Sequence, residues 1–140
     1  LDASGHVAHL APRIATLVEA GIRVSLFIDP DPGQLRTARQ MGAPVVELHT
    51  GAYCVAADDQ REGELRRIVE AAAVASELGL ECHAGHGLCF ETVAPVAAIP
   101  NVVELNIGHF LVGEAVFTGL ESAIAEMRRR MDAARAGIEP

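Results

Sequence analysis

Four short apolar runs, Val24 to Asp29, Val45 to Thr50, Leu80 to Gly85 and Val102 to Ile107, alternate with segments whose apolar residues recur at helical spacing. This alternation limits the possible folds more than any other feature of the chain. Each run is β-branched or otherwise apolar and follows closely on a Gly, Pro or Asn that ends the segment before it, which predicts strands. Strands that alternate strictly with helices run parallel and are joined by right-handed helical crossovers.

The helical segments carry their own punctuation. Leu10, Ile14, Leu17 and Val18 share one face, and Gly21 is placed to end that helix in a left-handed conformation. Asp31 followed by Pro32 reads as an N-cap with proline at the first helical position, and Leu35, Ala38 and Met41 continue the face up to Gly42. Asp59 with Glu62 three residues on resembles a capping box, ahead of a stripe of Leu65, Ile68, Val69, Ala72 and Leu78 closed by Gly79. Pro100 ends a helix through Val93, Val96 and Ile99, and Phe110 to Phe117 reads as a short extra helix. Thr118 with Glu121 is expected to cap a final helix through Leu120, Ile124, Met127 and Met131, with Gly137 beyond it.

Two architectures fit this order. A doubly wound sheet would carry a glycine-rich phosphate loop after its first strand, whereas Val24 to Asp29 runs into Pro30-Asp31-Pro32-Gly33, with neither G-x-G-x-x-G nor a P-loop. The expected fold is therefore α/β of the (β/α)₈ TIM-barrel type. Such a barrel takes about 250 residues and eight strands, so 140 residues with four βα units are expected to form half of one, a single partial domain over residues 1–140.

Composition narrows the function. The net charge is −8, from 11 basic and 19 acidic residues, which argues against a nucleic-acid binder that tracks phosphates. No run approaches the roughly 18 apolar residues of a membrane span, and the Ala/Val-rich patch Ile68 to Ala75 is interrupted by Glu70. Leu1 to His6 has neither the basic start nor the apolar core of a signal peptide, and Leu1 is read as a fragment or processing boundary. Cys54, Cys82 and Cys89 are odd in number and lack C-x-x-C spacing, as expected of reduced packing residues in a cytoplasmic protein.

In parallel βα folds the chemistry gathers at the carboxyl ends of the strands. Those ends carry Asp29, then Glu47, His49 and Thr50, then His86 and Gly87, then Gly108 and His109. Alternation puts Glu47 and His49 on one strand face, where a carboxylate and an imidazole suit general acid/base work. Glu47 has no evident cationic neighbour, since the chain has no Lys and its arginines lie almost wholly on the helical segments. In Ala84-Gly85-His86-Gly87, glycines on both sides of a histidine permit a sharp turn whose N–H groups can meet an anion. Asn106-Ile107-Gly108-His109 leads into the short extra helix, whose positive end is likewise suited to an anion. If these are the last two strands of a barrel, they form the phosphate site typical of that fold, and the ligand is a phosphorylated metabolite.

A rival reading takes Glu47-x-His49 and His83-x-x-His86 as metal ligands in a hydrolase. Residues three apart on a strand face opposite sides, which weakens it. His83 is expected to face the helices, away from His86, and His6 and His9 to lie on the surface.

The residues Val24-Ser-Leu-Phe-Ile-Asp29, Gly42-Ala-Pro-Val-Val-Glu-Leu-His-Thr-Gly51 with Tyr53, Ala84-Gly-His-Gly-Leu88 and Glu104-Leu-Asn-Ile-Gly-His109 with Gly113-Glu-Ala-Val-Phe117 closely resemble the pyridoxine 5′-phosphate synthase family, in order and over nearly the whole chain. The resemblance implies the C-terminal half of that enzyme, strands five to eight of the barrel with the N-terminal half absent. It implies condensation of 1-deoxy-D-xylulose 5-phosphate with 3-amino-2-oxopropyl phosphate, giving pyridoxine 5′-phosphate, phosphate and water. No cofactor and no metal are implied. By motif position His86 matches the family's proton donor and Glu47 the carboxylate that stabilises the transition state. Gly87, Gly108 and His109 match residues that hold the aminoketone phosphate. The family's proton-accepting His and Glu, and its grip on the pentulose phosphate, belong to the first four strands, so this chain alone is expected to be inactive. The resemblance also implies a homo-oligomer, an octamer in the full-length family, with small phosphorylated substrates as partners and neither nucleic acid nor membrane. His83 departs from the Asn more usual before Ala-Gly-His-Gly. A phosphate-binding half-barrel without catalysis is the alternative.

Overall fold

The four apolar runs form strands β1 (Ser25–Ile28), β2 (Val45–His49), β3 (Glu81–Gly85) and β4 (Val102–Asn106). In the computed structural model, which describes residues 1–137, they make one parallel sheet in the order β1-β2-β3-β4. Positions 138–140 of the expected domain lie outside the described residues. Around the strands run α1 (Val7–Glu19), α2 (Pro32–Gln40), α3 (Gly51–Val55), α4 (Asp58–Glu77), α5 (Val93–Ala97), α6 (His109–Thr118) and α7 (Leu120–Arg135). The expected alternation and all-parallel pairing are thus present, with one helix, α3, that periodicity did not predict.

Alternation divides the sheet into two chemically distinct faces. Leu26, Ile28, Val46, Leu48, Cys82 and Ala84 point one way and are buried in one cluster with Leu35 and Ala38 of α2, Ile68, Ala71, Ala72 and Ala75 of α4, and Val96 of α5. Burying each of the larger of these side chains stabilises the fold by roughly 1.5–3 kcal/mol. On the other face the register aligns Phe27, Glu47, His83 and Glu104 in one row, and His49, Gly85 and Asn106 in the next. Between Cys82 and His83 the register with β4 slips, leaving Val103 as an extra, exposed residue.

Several expectations about helix ends and faces are corrected. Asp31 is the N-cap of α2, its carboxylate accepting the Gln34 N–H at 3.0 Å, with Pro32 following as expected. Asp59, by contrast, lies inside α4, whose N-cap Ala57 has no side-chain bond. The acidic pair Asp58-Asp59 instead fills the first turn, where the helix dipole favours it. Thr118 does not cap α7: it is the last residue of α6, its hydroxyl donates to the Glu114 carbonyl, and Gly119, with φ at +85°, separates the helices. In α1 only Ile14 is buried, while Leu17 and Val18 are exposed. The guanidinium of Arg135, near the end of α7, donates to the carbonyls of Ala97, Ile99 and Val102 and so ties α7 to the end of α5 and the start of β4.

Candidate active site

The site lies at the carboxyl ends of β2, β3 and β4. Of the strand-end residues singled out from sequence, Glu47, His86, Gly87, Gly108 and His109 line one cavity of about 630 Å³, together with Phe27 and Asn106, whereas Asp29, His49 and Thr50 are not among its lining residues. A cavity of that size suits a small metabolite.

The turn after β3 is built to hold His86 outward. Among the described residues His86 is the one non-glycine with a left-handed backbone, φ 77°, and Gly87 follows at 90°. Such a backbone is costly for a histidine, and its surroundings must hold it in place. Thr50, fully buried, supplies the restraint: its backbone N–H donates to Gly85 O at 2.8 Å, and its Oγ1 lies 2.9 Å from Gly85 O and 2.8 Å from His86 O. The turn rests closely on α3. A Cβ at Gly87 would come within 3.3 Å of the Cys54 Cβ, besides demanding a left-handed side-chain residue. Burial pushes the Cys54 thiol up, so beside this turn it is a packing group and not a thiolate.

Aromatic contacts set the His86 ring. It lies 4.9 Å from the His49 ring and 5.8 Å from Phe27, and Phe27 meets His49 edge-on at 5.1 Å. His49 Nδ1 is 3.7 Å from Asp29 Oδ1. Gly51 lets His49 lie flat against the chain, because a Cβ there would stand 2.8 Å from its Cε1. Glu47 shares the strand face with His49 and is half-buried. Among the described residues it makes no ion pair, and its Oε2 accepts the Asn106 amide at 3.0 Å.

On the far side of the cavity, Gly108 is the N-cap of α6 and His109 its first residue. The first-turn N–H groups of a helix have no partner within it, and a Cβ built on Gly108 meets nothing within 4 Å. An anion can therefore approach this backbone directly.

His83 is where the sequence reading is corrected most. It does not face the helices: paired with Glu47 in the register, it lies on the same face as Glu47 and is only 5% exposed. Its Nε2 is 2.8 Å from Glu81 and its Nδ1 3.3 Å from Glu104. Glu81 also pairs with Arg23. The hydrogen bond from His83, and then that from Arg23, hold the Glu81 carboxyl below its usual range. His86 reaches this face too, because the left-handed turn reverses the parity that a continued strand would impose. Among the described residues no three His, Cys, Asp or Glu side chains are grouped to hold a metal ion, and both His83 ring nitrogens are occupied by carboxylates. Phe27 and Asn106 were missed as site residues. Phe27 stands opposite Glu47 and Asn106 opposite Gly85, pairings that the sequence of a single strand does not carry.

A parallel βα scaffold that brings a carboxylate, an imidazole and a helix amino end around one cavity defines a class, the βα proteins with a cavity at the carboxyl ends of their strands. The comparison with known proteins narrows the class to a family. The family described as "Pyridoxal phosphate biosynthesis protein PdxJ" matches residues 1–133, and the chain belongs to it. It is 64% identical to the pyridoxine 5′-phosphate synthase of Rhodospirillum rubrum over 138 residues, which are 98% of this chain and 55% of that protein. The synthase of Zymomonas mobilis is 55% identical, over 97% of this chain and 53% of its own length. The chain thus spans about half the length of the curated relatives it matches.

Proposed function

We propose that this chain is the half of a pyridoxine 5′-phosphate synthase that holds strands five to eight of a (β/α)₈ barrel. The whole enzyme, a cytoplasmic homo-oligomer, condenses 1-deoxy-D-xylulose 5-phosphate with 3-amino-2-oxopropyl phosphate to pyridoxine 5′-phosphate, phosphate and water. The observation that carries this reading is the convergence of Glu47, His86, Gly87, Gly108 and His109 on one cavity, in a chain 64% identical to a synthase of that name.

Each part has a chemical task. The aminoketone phosphate sits against the amino end of α6, where Gly108 and the His109 N–H meet its oxygens and Gly87 closes the other side. His86 is poised over the cavity as proton donor, since imine formation, dehydration and phosphate loss all need proton transfers near neutral pH and imidazole titrates there. Glu47 faces the positive charge that develops on an imine nitrogen, and a fixed carboxylate stabilises that charge without reorganising. The polar sheet face would look into the barrel, with the other four βα units supplying the proton acceptors and the pentulose phosphate site.

The test uses a full-length enzyme in which residues 1–133 replace the matching segment of the Rhodospirillum rubrum synthase. His86→Ala should lower kcat by about two to four orders of magnitude, the range for a general acid. A loss below tenfold would contradict the assignment. A half-barrel that binds phosphate without catalysis predicts instead that the graft binds the aminoketone phosphate and never turns over.

A further inference from the structure

Glu47 stands on β2, yet its hydrogen-bond partner comes from β4, two strands away. Neighbouring strands are about 4.8 Å apart, so β3 lies beneath any contact between them. The β3 residue at that point is Gly85, in register with His49 on one side and Asn106 on the other. A Cβ on Gly85 would stand 2.6 Å from Glu47 Oε1, 2.7 Å from Asn106 O and 3.0 Å from Asn106 Cβ. The backbone of Gly85 is not left-handed, so glycine is required there for space alone. The gap it leaves is filled by the Glu47 carboxylate, whose Oε2 accepts the Asn106 amide at 3.0 Å. Its Oε1 stands over Gly85 with no protein donor among the described residues.

We infer that Asn106 and Gly85 are positioning residues that aim the Glu47 carboxylate into the cavity, Asn106 by holding one oxygen and Gly85 by leaving room for the other. This rests on the proposed role of Glu47. An unheld glutamate samples several rotamers, and ordering it in advance removes that cost from the reaction. His83, opposite Glu47, is taken up by Glu81 and Glu104, and Asp29 lies against His49, which leaves the Asn106 amide as the donor that sets the Glu47 carboxylate.

The grafted full-length enzyme again provides the test. Asn106→Ala should lower kcat about ten- to hundred-fold, the scale expected for a misplaced reacting group. KM for the aminoketone phosphate should stay within about twofold, because the phosphate is held elsewhere. Gly85→Ala should behave likewise. Asn106→Asp is the discriminating variant. Two carboxylates at hydrogen-bond distance repel unless they share a proton, so its activity should recover toward acid pH while that of Asn106→Ala does not. A protein that had merely lost its fold would show no acid recovery. The inference is overturned if Glu47→Gln is inactive while Asn106→Ala keeps kcat within threefold, or if the Asp and Ala variants share one pH profile. Full activity in Glu47→Gln would instead remove the role of Glu47, and this inference with it.

Discussion

Gly108 shows how much of the site depends on single residues. Its φ of −111° is open to any residue, and an added Cβ meets no protein atom within 4 Å, so what it preserves is access to the amides of α6. Gly108→Val should therefore lower the melting temperature only slightly, as valine is a poorer N-cap than glycine, and raise KM for the aminoketone phosphate about tenfold or more, a loss of about 1.4 kcal/mol in binding. An unchanged KM in steady-state assays would place the phosphate elsewhere. At this scale Glu47, His86 and Gly108 were legible because strand ends and glycine-flanked turns mark them. His83 and Asn106 were not. Their roles depend on which residue lies opposite on the next strand, and register between parallel strands is set by packing of crossovers, not by local sequence. His83 was also misjudged because a strand parity was carried into His86, where the backbone turns left-handed.

Elements were legible where one conformation was enforced. Asp31 followed by Pro32 leaves the chain little choice, because proline fixes φ and lacks the N–H that a cap would have to satisfy. Asp59-x-x-Glu62 and Thr118-x-x-Glu121 match the capping-box pattern equally well, but acidic residues are as favourable within a first turn as before it, and Gly119 took the break from Thr118. The five-residue helix α3 has too few turns to show a period. On α7, Glu126 accepts hydrogen bonds from Arg129 and Arg130, Arg129 contributing most, which together hold its carboxyl down at about 2. A carboxyl held below its ordinary value of 4.5 adds stability above that value and loses it as pH falls toward 2. Because the pair is on the surface, the increment is modest. Glu126→Gln should melt slightly lower at pH 7, and its difference from the parent chain should vanish between about pH 4.5 and 2. A difference that stays constant over that range would deny the pairing.

In the molecule as a whole, the two sheet faces differ in chemistry. One is buried by α2, α4 and α5; the other bears Glu47, His49 and His83 and has Phe27 and Asn106 exposed on it. Apolar side chains are also exposed on α6 and α7, with Phe117 at 88% and Val116 at 77%. The parallel alternation was readable from four apolar runs and their punctuation. That the second face is polar was readable only in part, since a run such as Val-Val-Glu-Leu-His gives its parity but not what stands opposite.

If this chain carries one half of a shared active site, the other half should complete it in a complementation assay. Purified residues 1–140 are assayed for pyridoxine 5′-phosphate formation alone and after co-expression with the first four βα units of the Rhodospirillum rubrum synthase. Residues 1–140 should show no turnover alone and turnover with the added half, abolished by His86→Ala. Turnover by residues 1–140 alone, or activity of the pair that is indifferent to His86, would contradict a shared active site.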